Sequence, residues 1–424
     1  MRKIKNALLL AGGDSTRFWP LENKNLYSFL GKPLILHQIE KISLFVENIF
    51  IVVHKENAVA VKRLVDNANL LVKIEIVIQK DDFSGQAGAV FSVKNLVRGE
   101  TIILNANDLV DYSAIEKITQ TPAHKNKVIL FGKKVNEYFP GGYFKFDSNE
   151  NVEKIVEKPG KDKMPSNITK LVVDYYSDID NLVKAIEKVK TNEDNHYEIA
   201  LNHLLDSGVE KTYFIYEGFW VSLKYPWHIL SMLKLFLGMI KTSDISSTAE
   251  ISKKAIISGP VVIGDNVKIG DFAKISGPVF IGDNSTIGDY SLIRESQIGE
   301  DCLIGSYNEV ARSYIGNKVF LHRNYVGDSV LADEVIMGAQ AVTANLRFDG
   351  ETINSYVDDD KVDTYLSKMG AVVGRQAKIG VNATITPGVK IGKKTWVGPG
   401  EIVRYDLEDK TYLSDGEEKE NLYE

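Results

Sequence analysis

The 424-residue chain lacks the features that mark secreted, membrane-spanning or nucleic-acid-binding proteins. Its single cysteine, Cys302, excludes an internal disulfide and suits a reducing compartment. No apolar run is long enough to span a bilayer, and Met1–Asn6 leads into an apolar run too short for a signal peptide. The net charge of −6 gives no general attraction to nucleic acid or acidic membranes. We therefore expect a cytoplasmic protein that holds any anionic ligand in a local site.

The strongest pattern present is a six-residue repeat of aliphatic side chains in the second half. Every sixth residue from Ile251 to Ile293 is isoleucine, and Ile or Val returns at the same spacing from Val373 to Val403. A helix would scatter side chains of this period, whereas a triangular parallel coil with about six residues a side stacks them inward. Gly, Asn and Asp suit its tight corners. The sequence therefore predicts a left-handed parallel β-helix of hexapeptide repeats.

The first half alternates short apolar runs with helical patterns, which is typical of an α/β domain with a mainly parallel sheet. The predicted strands are Ala7–Ala11, Ile49–Val53, Val72–Ile78, Thr101–Leu104 and Val128–Phe131. We expect this domain over residues 1–230, a helical linker over 231–250 and the β-helix over 251–404. A loop inserted at about 346–370 interrupts the repeat, and residues 405–424 form an acidic tail.

A glycine-rich turn follows the first predicted strand. Ala11 ends the strand, Gly12 and Gly13 form the turn, and Arg17 comes shortly afterwards. Such a turn lets backbone N–H groups approach phosphate oxygens, and a guanidinium suits a triphosphate tail. Taken alone, the turn fits an ordinary strand-to-helix connection equally well.

Several further motifs follow the glycine-rich turn, and they occur in the order found in one known family. Over roughly residues 1–230 the chain resembles the sugar-1-phosphate nucleotidyltransferase family, whose fold is a Rossmann-like α/β domain with a mainly parallel sheet. The matching positions are Gly12–Gly13, Arg17, Lys24, Gly31–Pro33, Gln79, Gly85–Val90, Asn107–Asp108, Gly142–Tyr143, Glu157–Pro159, Glu198 and Gly218–Trp220.

The resemblance implies a reaction and a set of roles. A sugar 1-phosphate oxygen would attack the α-phosphate of a nucleoside triphosphate (NTP), and pyrophosphate would leave. Arg17, Lys24 and Asp108 would be the catalytic residues, with Asp108 also binding Mg²⁺. The residues implied in substrate and nucleotide binding are Ala11, Gly12, Gly13, Gln79, Gly85, Gln86, Gly142, Glu157 and Lys158.

Three places depart from the family's pattern. Ser15 stands where the family has the second glycine of the loop, which is a modest change. Ser222 stands where the family tends to have a second carboxylate or amide metal ligand, and its hydroxyl is a weaker donor to a hard cation. Ile168–Val172 replaces a turn that contacts the sugar, so the identity of the sugar does not carry over. These departures leave two alternatives open: an acyltransferase with an inactive front domain, or a non-catalytic regulatory homologue.

The β-helix half resembles the second domain of bifunctional archaeal-type N-acetylglucosamine-1-phosphate uridylyltransferases and their thymidylyltransferase relatives. The resemblance rests on His322–Ser329 and Thr343–Asp349. It implies acetyl-CoA as a second cofactor, with His322 as general base and with Tyr325 and Asn345 on the sugar phosphate and amine. A scaffold role for His322 is the alternative.

The resemblance also implies assembly. β-Helices of this kind pack around a three-fold axis, so a homotrimer or a dimer of trimers is expected. The aromatic residues that we expect to be exposed for such a contact are Tyr290, Tyr307, Tyr314 and Phe320.

Overall fold

A computed structural model of the chain describes residues 2–13, 15–80, 82–83, 85–122, 126–191, 193 and 195–421. The chain forms two compact units. The first consists of Met1–Asp14 and Pro33–Val221, and the second of Ser15–Lys32 and Ser222–Glu424. This division differs from the sequence-predicted domains, because Ser15–Lys32 groups with the β-helix. Residues 422–424 of the predicted tail lie outside the described residues.

The elements up to the start of the β-helix are as follows. The strands are β1 (Ile4–Ala11), β2 (Ser28–Phe29), β3 (Lys32–Pro33), β4 (Val46–Val53), β5 (Lys73–Ile78), β6 (Thr101–Asn105), β7 (Asp108–Val110), β8 (Lys127–Lys134), β9 (Gly142–Phe146), β10 (Val152–Glu157), β11 (Ile168–Tyr176), β12 (Glu210–Ile215) and β13 (Trp220–Ser222). The helices are α1 (Leu34–Ile42), α2 (Ala58–Asn67), α3 (Gly85–Ser92), α4 (Ser113–Gln120), α5 (Ile179–Lys188), α6 (His196–Asp206) and α7 (His228–Met239). Short 3-10 helices lie at Thr16–Phe18, Lys24–Leu26, Lys55–Asn57 and Lys161–Lys163.

The first unit is built around a nine-stranded sheet. The strand order is β10-β9-β11-β6-β1-β4-β5, and β8 pairs with β11 and β12 beside this path. β1 runs parallel to β4 and β6, and β4 runs parallel to β5. β11 lies antiparallel to β6 and β8. Since parallel strands end at the same edge, the residues that follow β1, β5 and β6 gather there, as in other doubly wound sheets.

The core of this unit explains the apolar run in β1. All residues from Ala7 to Ala11 are buried, which is expected of a strand covered on both faces. Leu8 and Leu10 belong to a core cluster that includes Val90 of α3, Ile186 of α5 and Leu201 of α6. β1 is therefore packed against helices α3, α5 and α6 in the core of this unit.

The second unit is a left-handed parallel β-helix, as the sequence predicted. Face 1 has the strands Asp244–Ile245, Val261–Ile263, Val279–Ile281, Gln297–Ile298, Tyr314–Ile315, Val330–Leu331, Val372–Val373 and Lys390–Ile391. Face 2 has Glu250–Ile251, Lys268–Ile269, Thr286–Ile287, Leu303–Ile304, Phe320–Leu321, Ile336–Met337, Lys378–Ile379, Trp396–Val397, Thr411–Ser414 and Glu417–Glu420. Face 3 has Ile256–Ser258, Lys274–Ser276, Leu292–Arg294, Glu309–Ala311, Tyr325–Gly327, Val342–Thr343, Thr384–Ile385 and Ile402–Val403.

Stacked aliphatic residues fill the interior of the β-helix. Ile263, Ile281 and Ile298 follow one another along face 1 and are nearly or fully buried. From the third strand onward, the outward residues of face 1 are Phe280, Gln297, Tyr314, Val330, Val372 and Lys390. These outward side chains are buried as well, each at 8% exposure or less. From Phe280 onward, face 1 is therefore covered rather than solvated.

Two hairpins decorate the β-helix. The insertion predicted at about 346–370 contains an antiparallel pair, Asn354–Val357 with Asp360–Asp363. After the last coil, Thr411–Ser414 extends face 2 and pairs with Glu417–Glu420.

Within the described residues, none of the helices combines the length and apolarity that crossing a lipid bilayer requires.

The prediction that Tyr314 is exposed is wrong. Its side chain is buried at 4% exposure, and its ring lies 5.8 Å from the rings of both Tyr27 and Phe29. Burial raises the pKa of Tyr314 well above its usual value. Tyr290, Tyr307 and Phe320 are exposed as expected, because they lie at a corner or on face 2.

Candidate active site

The carboxyl edge of the central sheet brings the glycine-rich turn and Asp108 to one place. Leu10 of β1 pairs with Asn105 of β6, and the backbone N–H of Ala106 donates to the Leu10 carbonyl at 2.9 Å. Gly12 follows β1 directly, and Asp108 begins β7 just after β6 ends. The two candidate residues therefore leave neighbouring parallel strands at the same edge.

Gly12 makes room for the side-chain amide of Gln79. A Cβ on Gly12 would lie 2.0 Å from Gln79 Oε1, so a larger residue there would displace the amide. Gln79 follows β5, and its backbone N–H donates to the Val53 carbonyl of β4 at 2.9 Å. Its Nε2 donates to the Gly85 carbonyl at 3.4 Å. An amide fixed in this way offers one donor and one acceptor group to the edge of a nucleobase.

The start of α3 lies against this amide. Gly85 begins the helix with a φ of 58°, and a Cβ on Gly88 would lie 1.9 Å from the Phe83 carbonyl oxygen. Gln86 Oε1 is buried and accepts no hydrogen bond from the described part of the chain. Because a buried oxygen without a donor costs free energy, Gln86 is a candidate to receive a donor from a ligand.

Asp108 is the candidate metal ligand in this unit. One carboxylate oxygen accepts from Asn107 Nδ2 at 3.1 Å and the other from Asn105 Nδ2 at 3.4 Å. Among the residues that the structure describes, no group of three or more His, Cys, Asp or Glu side chains is arranged to hold a metal. Mg²⁺ needs no such cage, since it typically takes one or two carboxylates with water and substrate phosphates. Asp108 therefore fits a Mg²⁺ ion that is shared with a nucleotide.

Gly142 and Glu157 face each other across β9 and β10. A Cβ on Gly142 would lie 3.2 Å from Glu157 Oε2, so the glycine leaves space around the carboxylate. Lys158 follows with a φ of 41°; its N–H donates to the Gly141 carbonyl at 3.1 Å and its Nζ lies 3.7 Å from Glu157 Oε1. The structure thus brings Gly142, Glu157 and Lys158 together as the sequence pattern suggested.

Strand β11 carries a buried ion pair that sequence reasoning did not foresee. Lys170 Nζ lies 2.6 Å from Asp174 Oδ2, and both side chains are almost completely buried. The Tyr197 hydroxyl donates to the same oxygen at 2.6 Å and contacts the Tyr176 hydroxyl at 2.9 Å. Burial, together with the nearby Asp174 carboxylate, raises the pKa values of Tyr176 and Tyr197 well above the usual value for tyrosine. The only sequence signal was that Ile168–Val172 departs from the family's pattern.

Three further candidates belong to the second unit. Arg17 is exposed on the 3-10 helix Thr16–Phe18, and Lys24 begins the 3-10 helix Lys24–Leu26. Ser222 is buried, and its carbonyl oxygen accepts a hydrogen bond from His228 Nδ1 at 2.8 Å. The roles of Arg17 and Lys24 in catalysis, and of Ser222 in metal binding, stay predictions.

The β-helix carries the residues predicted for acetyl transfer, and two of them, Tyr325 and Asn345, are in contact. Asn345 Nδ2 donates to the Tyr325 hydroxyl at 3.2 Å and also to Asp328. Asp328 accepts two hydrogen bonds from the Arg312 guanidinium, each at 2.6 Å. His322 is exposed at the next corner, and its backbone N–H donates to Asn324 Oδ1 at 2.6 Å.

Both halves of the chain match families of known proteins. The family model described as "Nucleotidyl transferase" matches residues 6–223, and "GMPPB C-terminal domain" matches residues 239–353. The chain is 31% identical over 419 residues to "Bifunctional protein GlmU" of Methanococcus vannielii, covering 96% of this chain and 97% of that protein. It is 32% identical over 410 residues to "Bifunctional sugar-1-phosphate nucleotidylyltransferase/acetyltransferase" of Sulfurisphaera tokodaii, covering 95% and 98%.

The α/β sheet that continues into a β-helix, together with both family matches, defines a class of two-domain transferases. The chain belongs to the nucleotidyl transferase family, because the family match spans half of its length and the relatives align with nearly all of it. The protein is therefore a transferase enzyme. The family and the fold class predicted from the motifs are confirmed.

Proposed function

We propose that the protein transfers a nucleotidyl group from an NTP to a sugar 1-phosphate, giving an NDP-sugar and pyrophosphate. The observation that carries the proposal is the close approach of Gln79 to Gly12, at the sheet edge where Asp108 lies. This arrangement offers an amide to a base and backbone N–H groups to phosphates. A carboxylate for a divalent cation completes it.

In this proposal the backbone and the charged side chains bind different parts of the triphosphate. Gly12, Gly13 and the end of β1 at Ala11 receive the triphosphate, while Arg17 and Lys24 neutralise its leaving and transferred phosphates. A phosphate oxygen of the sugar 1-phosphate bonds to the α-phosphorus, and the bond from that phosphorus to the α,β-bridging oxygen breaks. Asp108 would hold Mg²⁺, which would supply charge neutralisation at the phosphate oxygens. Both reactants are anions, so positioning and charge neutralisation supply most of the catalysis.

The acceptor binds near Gly142, Glu157 and Lys158 in this proposal. The Glu157 carboxylate accepts hydrogen bonds from sugar hydroxyls, and the space left by Gly142 admits the ring. The ammonium of Lys158, which is partly exposed, pairs with the sugar phosphate. The name of the S. tokodaii relative gives sugar 1-phosphates as its substrates, and we extend that class to this chain.

A second candidate function is acetyl transfer on the β-helix. The observation that favours it is the contact of Asn345 with Tyr325 on face 3, near the exposed His322. In this candidate the amine nitrogen bonds to the thioester carbon of acetyl-CoA, the C–S bond breaks and CoA leaves as the thiol. His322 takes the proton from the attacking amine. The Arg312 guanidinium is already paired with Asp328, so we do not assign it to the sugar phosphate. A regulatory protein without turnover is the remaining alternative.

A homotrimer or a dimer of trimers is proposed for the assembled protein. The rings of Phe272, Tyr290 and Tyr307 stack along one corner of the β-helix with centroids 5.1 Å apart. All three rings are about half exposed, and Phe320 on face 2 is exposed as well. An exposed aromatic row of this kind favours a contact between subunits.

The test is pyrophosphate release from four NTPs, each combined with a panel of sugar 1-phosphates in the presence of Mg²⁺. We expect release with one NTP–sugar pair and its loss in Asp108→Ala. Asp162→Ala, on the exposed 3-10 helix Lys161–Lys163, is the control variant and should leave release unchanged. Absence of release from every pair would overturn the proposal, and acetyl-CoA consumption by the same samples would then decide for or against the second candidate.

A further inference from the structure

The segment Ser15–Lys32 carries Arg17 and Lys24 and packs within the second unit along face 1 of the β-helix. Its contacts cover four outward residues of that face, Phe280, Gln297, Tyr314 and Lys390. Tyr314 lies against two aromatic rings of the segment, and Phe280 lies against Gly31, where an added Cβ would be 3.1 Å from the phenyl ring. The segment therefore rests on the β-helix over several successive coils.

One end of the segment is fixed by Gln297. This side chain is 2% exposed and lies on face 1. Its Oε1 accepts from the backbone N–H of Leu30 at 2.8 Å, and its Nε2 donates to the Ser28 carbonyl at 2.9 Å. Leu30 has a φ of 52°, a conformation that a residue other than glycine adopts only when its surroundings hold it there. Gln297 thus satisfies the N–H of the strained residue and the carbonyl two residues before it.

The other end is fixed by Trp19. Its Nε1–H donates to Asp409 Oδ1 at 2.9 Å, and the Nζ of Lys390 lies 4.5 Å from the centre of its ring. Lys390 is 4% exposed and pairs with Asp406 at 3.1 Å, so the cation meets the ring in a desolvated place. A cation–π contact without water is worth more than one at the surface. Trp19 is therefore tied to the last two coils by both its N–H and its ring.

We propose that the β-helix positions Arg17 and Lys24 for nucleotidyl transfer, with Trp19 and Gln297 as the positioning residues. The inference rests on the proposed function, because it concerns the cations that this function assigns to the phosphates. Lys24 lies between the two anchored ends of the segment, and Arg17 lies two residues before Trp19. Each is part of a short 3-10 helix, which has little stability of its own. A displacement of about 1 Å in a positioned charge can cost about 10²-fold in rate. Loosening either anchor therefore lowers kcat without removing a group that touches substrate.

The experiment compares Trp19→Phe and Gln297→Leu with the wild-type chain, using the NTP–sugar pair that wild type turns over. Trp19→Phe keeps an aromatic ring near Lys390 and removes the indole N–H that donates to Asp409. Trp396→Phe is the matched control, since Trp396 lies on face 2 with Lys378 Nζ 4.3 Å above its ring and does not belong to the segment. We expect kcat to fall about tenfold or more in both test variants, with KM changing less, and Trp396→Phe to match wild type.

Peptide-resolved hydrogen exchange supplies a readout that a general loss of stability would not give. Amides of Ser15–Lys32 should exchange faster in both test variants, while amides of the β-helix core keep wild-type protection. Wild-type kcat in Trp19→Phe and Gln297→Leu would overturn the inference and leave the proposed function standing. A wild-type enzyme without turnover would instead overturn the proposed function. If Gln297→Leu fails to fold, Trp19→Phe decides, because it loses a single hydrogen bond.

Discussion

Gln79 holds its side-chain amide in the space that Gly12 leaves by having no side chain. Oε1 of the amide lies 2.0 Å from the position that a Cβ on Gly12 would take. We predict that Gly12→Ala displaces the amide and raises the KM for NTP about tenfold, which corresponds to roughly 1.4 kcal/mol. The fold should survive, because the end of a glutamine side chain can swing away. Steady-state kinetics and thermal unfolding measure both effects.

The control for Gly12→Ala is Gly238→Ala. Gly238 lies in the last turn of α7, and an added Cβ there meets no atom within 4 Å. Its KM for NTP should equal that of wild type. If Gly12→Ala also keeps the wild-type KM, Gln79 has no part in nucleotide binding.

The buried pair of Lys170 and Asp174 should be costly to break. Lys170→Met leaves a buried carboxylate without its cation, and we predict a loss of about 3–5 kcal/mol in the free energy of unfolding. Urea denaturation measures this loss. The double variant Lys170→Met/Asp174→Asn should recover much of it, since the carboxamide is neutral and still accepts from Tyr197.

Lys145→Met is the matched control for the buried pair. Lys145 and Glu153 form an ion pair at 2.9 Å, but both side chains are more than 40% exposed. Removing such a pair should cost less than about 1 kcal/mol. A loss in Lys170→Met no larger than that in Lys145→Met would show that the buried pair does not stabilise the first unit.

Cys302 should be inert in the folded protein. Its thiol is 2% exposed and donates to the Gly316 carbonyl at 3.1 Å, and burial raises its pKa to about 12. The reactive thiolate is therefore scarce at pH 8. We predict that a thiol reagent such as DTNB labels the chain only after denaturation with guanidinium. Rapid labelling of one equivalent in the native protein would contradict this.

His228 should make stability depend on pH. Burial lowers its pKa to about 4 from the usual 6.5, opposed by the Ser222 carbonyl and assisted by Lys224. Between pH 4 and 6.5 the unfolded chain binds more protons at this residue than the folded chain. The contribution of His228 is therefore complete above pH 6.5 and is lost as the pH falls toward 4.

The measurement is the free energy of unfolding at pH 5 and pH 7 in wild type and His228→Gln. Wild type should lose more of this free energy on acidification than the variant does, because only wild type protonates the ring on unfolding. Equal losses in the two proteins would mean that His228 titrates alike in the folded and unfolded states.

The sequence predicted the β-helix best where its period is strict. Val262 pairs with Phe280, which is 18 residues on, but Phe280 pairs with Gln297 after 17 and Tyr314 pairs with Val330 after 16. The middle coils have shorter corners, so the six-residue period fails there although the stacking of aliphatic residues continues. A strict period is therefore sufficient evidence for the fold, but its loss does not mark the end of a β-helix.

The candidate site was predictable as a set of residues but not as contacts. The order of the motifs indicated Gly12, Gln79 and Asp108, because each follows a strand of a parallel sheet. The contact of Gly12 with Gln79 depends on how β4 brings β1 and β5 into register, and no local pattern encodes that. The burial of Tyr314 was missed for the same reason, since Tyr27 and Phe29, which lie against it, are remote in sequence.

The central claim is that a sugar 1-phosphate attacks the α-phosphate of an NTP, and oxygen labelling tests it most directly. A sugar 1-phosphate with its three terminal phosphate oxygens replaced by ¹⁸O is turned over, and both products are analysed by mass spectrometry. The account predicts that all three labels appear in the NDP-sugar and none in pyrophosphate. Label in pyrophosphate, or NTP consumption without a labelled NDP-sugar, would contradict it.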